Sequence, residues 1–313
     1  MVQSLTLVFC GTPQFAVPTL EKLVEAGFGV RWVVTQPDRP RGRGLALAPS
    51  PVKQSALTLG LPVTQPSAIK NNDEFRAQLT ALKPDAIIVV GYGRILPQWM
   101  IDLPPLGNIN LHASLLPKYR GAGPIQWAIA RGENTTGVTT MRIDVGLDTG
   151  DILLQKEIPI APDDTAETLA PRLAAIGGDL IVETLRGLQA GAIKPRPQDG
   201  TKATLAPILK KEDGRIDFRL KAREICNRLR GSQPWPGAFT TFHGKSLHVW
   251  NAAVLTCALP PGELLIKDDL MSVGCAGETA LTLLEVQPEG KKRMAARDFI
   301  HGYHPHTGDL LGP

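Results

Sequence analysis

The fold is decided by residues 5–35, LTLVFCGTPQFAVPTLEKLVEAGFGVRWVVT. Residues 5–10 are an apolar run of strand length that stops at a Gly-Thr-Pro turn. Apolar residues then repeat at three- and four-residue steps, which is typical of an amphipathic helix, and Gly27 can end that helix. Residues 30–35 are again strand-like. A strand, a helix and a second strand joined by tight turns form a βαβ unit, so a parallel sheet is expected.

The same alternation continues to about residue 112. Residues 85–90 (DAIIVV) form a continuous apolar run, as expected for a strand covered on both faces. Residues 107–112 (GNINLH) are the next candidate strand. Earlier in the chain, Ser50 followed by Pro51 is typical of a helix start. This part of the chain therefore predicts an α/β fold, a doubly wound and mostly parallel Rossmann-like sheet.

The pattern changes in the second half of the chain. Residues 137–143 and 151–158 predict two strands around a Gly-rich loop, and a long helix is expected to follow them. Glycines, prolines and the lack of a period indicate a linker, after which short β-rich segments predict a small OB-like β-barrel. The predicted domains are a catalytic domain at 1–189, a linker at 190–206 and a C-terminal domain at 207–313.

Composition narrows the class of protein. The chain has 313 residues, 43% hydrophobic and 20% charged, which indicates a globular protein of two domains. The longest apolar runs fall far short of the roughly 20 residues that span a bilayer, and the N-terminus lacks the basic start of a secretory signal. Four scattered cysteines without a CxxC pair favour a reducing compartment, so a cytoplasmic protein is expected.

One group of polar residues can carry chemistry. Asn110 and His112 lie two positions apart at the end of a predicted strand, so their side chains share a face. In open α/β sheets, ligands bind at the carboxyl ends of the strands. Asp148 lies in a turn between Gly146 and Gly150, which permit tight backbone conformations. A carboxylate brought close to an imidazole favours the imidazolium and fixes its orientation.

An amide, an imidazole and a carboxylate without a Ser or Cys nucleophile fit acyl transfer to an amine. The amine is itself the nucleophile, and the protein must hold both substrates, move protons and stabilise an oxyanion. Taken alone, however, the pair Asn110 and His112 also fits an ordinary strand end. Asp148 equally fits an ordinary turn aspartate, so the residues alone leave both interpretations open.

Longer runs carry a family resemblance. NINLHASLLPKYRGAGPIQWAI at 108–129 and DVGLDTGD at 144–151 resemble the folate-dependent formyltransferases. Further runs extend the likeness in order over nearly the whole chain, and together they resemble the members of this family that formylate the methionine carried by initiator tRNA. These runs are FCGTPQFAVPTLEKL at 9–23, QPDRPRGRG at 36–44, PSPVKQSA at 49–56, VVGYGRILP at 89–97 and RGSQPWPGAF at 230–239.

The resemblance implies a set of site residues and partners. It implies 10-formyltetrahydrofolate as formyl donor, initiator methionyl-tRNA as acceptor, and no metal. A monomer is expected, with no membrane partner. The implied catalytic residues are Asn110, His112 and Asp148. The implied folate-binding residues are Ser114, Leu115, Leu116 and Pro117 in one loop, with Gly91, Tyr92, Gly93, Ile95, Leu96 and Asp144 around the pterin.

A basic loop at 37–44 (PDRPRGRG) is the candidate contact with tRNA. Guanidinium groups on a glycine- and proline-rich loop suit phosphate contacts, although such a loop is also common as a solvated surface. The resemblance implies that this loop reaches toward the acceptor stem, with Arg43 as its main contact, and OB-like barrels often bind oligonucleotides. The predicted tRNA-binding residues are Arg39, Arg41, Arg43, Lys210 and Arg215.

Two alternatives stay open beside this interpretation. A related formyltransferase could use the same three residues on a small acceptor, such as a glycinamide ribotide or an amino-sugar nucleotide. A non-catalytic RNA-binding protein could also retain the fold. The sequence contains neither GxGxxG after the first strand nor GxxxxGK[ST], so a dinucleotide or an ATP-type phosphate loop is not supported. The histidines near residue 301 lack the companions of a metal site.

Overall fold

The computed structural model describes residues 4–41 and 46–312, with only the backbone of residues 41 and 46. Its contacts divide the chain into two compact units. The first comprises Met1–Gly121, Thr136–Ile158 and Ala170–Leu205, and the second comprises Ala122–Thr135, Pro159–Leu169 and Ala206–Pro313. The domain boundaries expected from the sequence stay a prediction.

The first half of the chain alternates strands and helices. The strands are β1 (Thr6–Gly11), β2 (Gly29–Val34), β3 (Arg39–Arg41), β4 (Ala46–Ala48), β5 (Val63–Thr64), β6 (Ala86–Val90), β7 (Asn108–His112), β8 (Thr135–Arg142) and β9 (Ile152–Pro159). The helices are α1 (Val17–Glu25), α2 (Pro51–Thr58), α3 (Asp73–Ala81), α4 (Gln98–Ile101), α5 (Pro124–Ala130) and α6 (Ala166–Gln189).

Seven of these strands form one sheet in the order β5-β2-β1-β6-β7-β8-β9. β5, β2, β1, β6 and β7 run parallel, whereas β8 is antiparallel to β7. All five residues of β6 are buried, as their uninterrupted apolar run predicts for a central strand. The mostly parallel α/β fold is thereby confirmed. It places the carboxyl end of β7, and with it His112, at the edge where parallel sheets bind ligands.

Two local predictions can be compared directly. The Ser50 hydroxyl accepts the backbone N–H of Lys53 at 3.1 Å and Pro51 opens α2, so the predicted helix start is confirmed. The arginine-rich segment, expected to be only a loop, differs in part. β3 and β4 pair as a short antiparallel ribbon with Arg39 opposite Ala48. Three residues on each side are extended, so their backbone N–H and C=O groups can pair with each other.

The second unit contains an antiparallel sheet. Its elements are α7 (Ala222–Gly231), β10 (Ala238–Phe242), β11 (Lys245–Thr256), β12 (Leu264–Lys267), β13 (Leu270–Cys275), β14 (Thr279–Pro288), β15 (Met294–Ala295) and α8 (Ala296–Tyr303). The strand order is β10-β11-β14-β13-β12, with β15 beside β14. Ile225 and Leu229 of α7 and Phe299 of α8 fill the apolar face of this sheet. The β-rich second part is confirmed, and its OB-like closure stays a prediction.

Within 4–41 and 46–312, no helix combines the length and the apolar character that crossing a bilayer requires.

We predict opposite effects for alanine at two helical glycines. A Cβ at Gly177 of α6 would lie 2.5 Å from Leu111 Cδ2 on β7, whereas a Cβ at Gly302 of α8 would meet nothing within 4 Å. Gly302→Ala should therefore stabilise by up to about 1 kcal/mol, as helix propensity alone gives. Gly177→Ala should destabilise by about 1–3 kcal/mol, because Leu111 must move. Calorimetric unfolding of both variants measures the signs, and a stabilising Gly177→Ala would contradict this packing.

Candidate active site

His112 ends β7 and its ring is buried. Its Nε2 lies 2.8 Å from the backbone oxygen of Tyr119. Because a carbonyl oxygen can only accept, Nε2 must carry the hydrogen and donate it. The other ring nitrogen, Nδ1, lies 3.7 Å from Oδ2 of Asp148. The fold therefore fixes one nitrogen of the imidazole on the backbone and leaves the other beside a carboxylate.

Asp148 is held in the turn that follows β8. Its backbone adopts the left-handed conformation, with a φ of 52°. Its Oδ2 accepts the backbone N–H of Gly121 at 2.8 Å. The same oxygen thus lies between a fixed backbone donor and the imidazole. The predicted proximity of His112 and Asp148, residues 36 positions apart in the sequence, is present in the structure.

Asn110 lies on β7 two residues before His112. It is paired in register with Val89 of β6 and Met141 of β8, and it is half-buried. Side chains two positions apart on a strand point to the same face. The carboxamide of Asn110 is therefore presented on the face of β7 that carries the imidazole.

The predicted folate loop after β7 is fixed by polar side chains from β8 and β9. The Thr139 hydroxyl donates to Ser114 O at 2.6 Å and accepts the Leu116 N–H at 3.1 Å. Gln155 Nε2 donates to that hydroxyl at 3.0 Å and to Leu116 O at 2.9 Å. Ser114 is buried, whereas Leu115 and Pro117 are half-buried. A threonine hydroxyl has one donor and two acceptor positions, so all three are used here.

The second predicted folate segment follows β6, and its residues divide between surface and core. Gly91 and Gly93 have positive φ angles and are exposed, and Ile95 is 93% exposed. Tyr92 and Leu96 are buried instead. Burial raises the pKa of the Tyr92 phenol, and its hydroxyl has no hydrogen-bond partner among the described residues.

Asp144 shapes the turn that carries Asp148. Its carboxylate accepts the backbone N–H of Gly146 at 3.0 Å and the Thr149 hydroxyl at 2.7 Å. Asp144 is itself exposed. It is thus committed to bonds inside the turn in this structure.

The predicted tRNA-binding residues are only partly described. Arg43 and the side chain of Arg41 lie outside the described residues, and Arg39 donates to the Gln36 carboxamide oxygen. Lys210 and Arg215 are exposed in the second unit.

The base of the arginine ribbon is anchored by a polar cluster. Lys53 donates to Asp38 and to Gln65 at 2.7 Å each. The bonds that Asp38 accepts from Lys53 and from Gln65 lower the pKa of its carboxyl. Gln65 donates to Asp38 in turn, also at 2.7 Å. Gln36, just before the ribbon, donates to the backbone oxygen of Tyr92 at 2.9 Å. The ribbon and the segment after β6 are thereby joined.

Sequence reasoning missed several residues of this site. Tyr119 supplies the carbonyl that fixes His112, and Thr139 and Gln155 fix the loop after β7. Arg120 donates to Gln198, and Gln198 in turn donates to the turn that carries Asp148. Tyr119 and Arg120 lie within a run that carries the family resemblance. No signal in the sequence marks Gln198, because the segment around it has no period.

Two known family descriptions match the chain. The family described as "Formyl transferase" matches residues 5–185, and the family described as "Formyl transferase, C-terminal domain" matches residues 208–304. The chain therefore belongs to the formyl transferase family.

Its curated relatives in that family are methionyl-tRNA formyltransferases. The one from Koribacter versatilis is 68% identical over 306 residues, with 98% of each chain covered. The one from Solibacter usitatus is 56% identical, with 98% of each chain covered. The one from Caldanaerobacter subterraneus is 49% identical, and the match covers 97% of this chain and 99% of the relative.

Solved structures share the fold at lower identity. The N-formyltransferase from Helicobacter canadensis, in complex with folinic acid and dTDP-3-aminofucose, has a TM-score of 0.68 at 18% identity and covers 91% of this chain and 100% of its own. Glycinamide ribonucleotide transformylase 1 from Symbiobacterium toebii has a TM-score of 0.52 at 22% identity. That match covers 64% of this chain and 96% of its own.

Thr139→Val is expected to destabilise the first unit by about 1–3 kcal/mol, because it leaves the buried N–H of Leu116 without its acceptor. The matched control is Thr135→Val on the same strand, where the threonine is exposed and the change should stay within about 0.5 kcal/mol. Urea titration of both variants gives the comparison. Equal stabilities would show that the hydroxyl does not hold the loop.

Proposed function

We propose that this protein transfers the formyl group of 10-formyltetrahydrofolate to the α-amino group of methionine on initiator tRNA. The observation that carries the proposal is the 68% identity to a methionyl-tRNA formyltransferase across 98% of both chains. The pairing of His112 with Asp148 at the sheet edge supports it independently. The product serves translation initiation, and charged tRNA places the reaction in the cytoplasm.

Three residues are proposed to carry out the chemistry. The methionine amine attacks the formyl carbon, so an oxyanion develops as the carbonyl bond opens. When the oxyanion collapses, the bond from the formyl carbon to the folate nitrogen breaks, and the proton that the amine loses passes to that nitrogen, which leaves as tetrahydrofolate. The Asn110 carboxamide and the protonated His112 ring donate to that oxyanion. Since His112 Nε2 is committed to Tyr119 O, Nδ1 is the nitrogen that can exchange a proton with the reacting groups. Asp148, 3.7 Å from Nδ1, stabilises positive charge on the ring and takes part in the proton transfer.

Folate is proposed to bind along the loops that border this trio. The loop after β7, with Ser114, Leu115, Leu116 and Pro117, would contact the donor. The segment after β6 and the turn begun by Asp144 would surround the pterin. The exposed positions Gly91, Gly93 and Ile95 are accessible to a ligand. Tyr92 and Leu96 would act through backbone atoms or by supporting the segment, because their side chains are buried.

The acceptor is proposed to bind through both parts of the chain. The catalytic domain at 1–189 would present the basic segment at 37–44, with Arg39, Arg41 and Arg43, and a linker at 190–206 would lead to the tRNA-binding domain at 207–313. Lys210 and Arg215 in that domain are exposed cations suited to phosphate. The family matches at 5–185 and 208–304 support this division. A monomer suffices for the reaction.

The two other functions have less support. A small-acceptor enzyme of the glycinamide type would not need the C-terminal domain, and the Symbiobacterium toebii transformylase matches only 64% of this chain. The relatives that match nearly the full length at 56% and 68% identity are methionyl-tRNA formyltransferases, whereas the Helicobacter canadensis N-formyltransferase, which covers 91% of this chain, is 18% identical. A purely RNA-binding role would leave the His112–Asp148 pair unused.

The function is tested by a formyl-transfer assay. Wild type should formylate methionine on initiator tRNA and not free methionine, which is an acceptor without any nucleic acid. His112→Ala should lower kcat by about 10²–10³, the loss typical of one oxyanion donor. Transfer to a glycinamide ribotide in place of charged tRNA would establish the small-acceptor alternative. Absence of any transfer by wild type would favour the binding protein.

Arg43→Ala should raise the Michaelis constant for charged tRNA, by about tenfold for the loss of a charge-assisted phosphate contact. It should leave the Michaelis constant for the folate within twofold, because the residue is proposed to contact only the acceptor. Arg31→Ala, which removes an exposed arginine of β2, serves as the matched control. Steady-state kinetics with each substrate varied in turn measures both constants. Identical tRNA kinetics in the two variants would exclude Arg43 from acceptor binding.

A further inference from the structure

Gln198 uses all of its hydrogen-bonding groups within the candidate active site. Its Nε2 donates to the backbone oxygens of Asp148 at 2.8 Å and Gly150 at 2.7 Å. Its Oε1 accepts from Arg120 Nε at 3.1 Å and Nη2 at 2.7 Å. Gln198 lies in the segment assigned to the linker, 50 residues away from Asp148 in the sequence. A side chain with two donors and one acceptor, all satisfied at short distance, is held in a single geometry.

The chain around Gln198 is bound to the same region by its backbone. Arg196 exchanges two hydrogen bonds with Ile152 of β9, at 2.8 and 2.9 Å. The Thr204 carbonyl accepts the backbone N–H of Arg120 at 2.8 Å. The Thr204 hydroxyl accepts the backbone N–H of Tyr119 at 2.9 Å. The segment is thus tied on one side to the strand after the Asp148 turn, and on the other to the loop after His112.

These bonds close a ring around the imidazole. From His112 Nε2 the path runs to Tyr119 O, along the chain to Arg120, across to Gln198 and on to the carbonyl of Asp148. The Asp148 carboxylate then returns to His112 Nδ1 and to the N–H of Gly121. Every bond in the ring joins residues of the first unit.

We infer that Gln198, braced by Arg120, is a positioning residue that sets where the Asp148 carboxylate lies relative to His112. This inference rests on the proposed function, since it assumes that the His112–Asp148 pair performs the chemistry. Asp148 holds a left-handed backbone conformation that is uncommon outside glycine. Gln198 donates hydrogen bonds to the carbonyls of Asp148 and Gly150, the residues on either side of Thr149, and so holds the turn at two points. Arg120 directs the carboxamide so that its NH₂ group, and not its oxygen, faces these carbonyls.

A neutral amide is the group that this position requires. A glutamate would still pair with Arg120 but would direct an oxygen at two carbonyl oxygens, which repels the turn. It would also add a negative charge next to the Asp148 turn. A methionine keeps the length of the side chain and removes every bond. Gln198→Glu and Gln198→Met therefore separate the donor role from both side-chain size and the Arg120 contact.

The test is steady-state formyl transfer to charged initiator tRNA by the full-length chain. Both variants should lose kcat by about 10²-fold, the effect of a displacement near 1 Å at a reacting group, with both Michaelis constants within about threefold. Asp199→Asn, at the next position, is the matched control, since among the described residues the Asp199 side chain bonds to Thr201 and Lys202 alone. It should keep the wild-type rate.

A double-variant cycle separates positioning from general stability. If Gln198 acts through Asp148, then Gln198→Met should have little further effect on kcat in an Asp148→Ala background. An equal loss in both backgrounds would overturn the inference, and so would a fully active Gln198→Glu. A wild-type rate in Asp148→Ala alone would instead overturn the proposed role of Asp148, and the positioning role with it. Assays run well below the melting temperature of each variant keep unfolding out of the comparison.

Discussion

The site depends on one buried hydrogen bond, from His112 Nε2 to the backbone oxygen of Tyr119. A buried imidazole N–H without a partner would cost free energy comparable to a lost hydrogen bond. The carbonyl supplies that partner and at the same time fixes the tautomer, since it can only accept. The consequence reaches beyond stability. With one nitrogen committed to the backbone, the other is placed beside Asp148, and the ring has a single orientation in which to act.

The backbone is unusual at two residues that contact the imidazole. Tyr119, which supplies the carbonyl, and Asp148, which supplies the carboxylate, both have left-handed φ angles, 62° and 52°. Such conformations cost free energy in residues other than glycine and persist only where the surroundings determine them. Here hydrogen bonds hold both residues in place. Tyr119 is bonded to Thr204, and Asp148 is bonded to Gly121 and to Gln198. The strain lies at the two residues that bracket the imidazole.

The sequence predicts those parts of the site that follow from short-range pattern. Alternating strands and helices fix the parallel sheet, and the strand end fixes where His112 lies. The turn glycines and the family resemblance indicate Asp148. Gln198 could not be found this way, because its partners are 48 to 78 residues distant and its segment has no period. The burial of Tyr92 within a glycine-rich motif is likewise set by packing against the core and not by the motif.

The turn that carries Asp148 shows why a long-range contact is needed at all. Within residues 4–41 and 46–312, the Asp144 carboxylate bonds to Gly146 and Thr149 of its own turn alone, so it defines the shape of the turn. Shape alone does not place the turn relative to β7, because a rigid turn can still pivot about its two strand ends. Placement requires bonds to something outside the turn: the Gln198 amide supplies two, and the N–H of Gly121 adds one to the Asp148 carboxylate. Local sequence can therefore encode the form of the catalytic turn, whereas its distance from His112 is encoded by a residue near the end of the first unit.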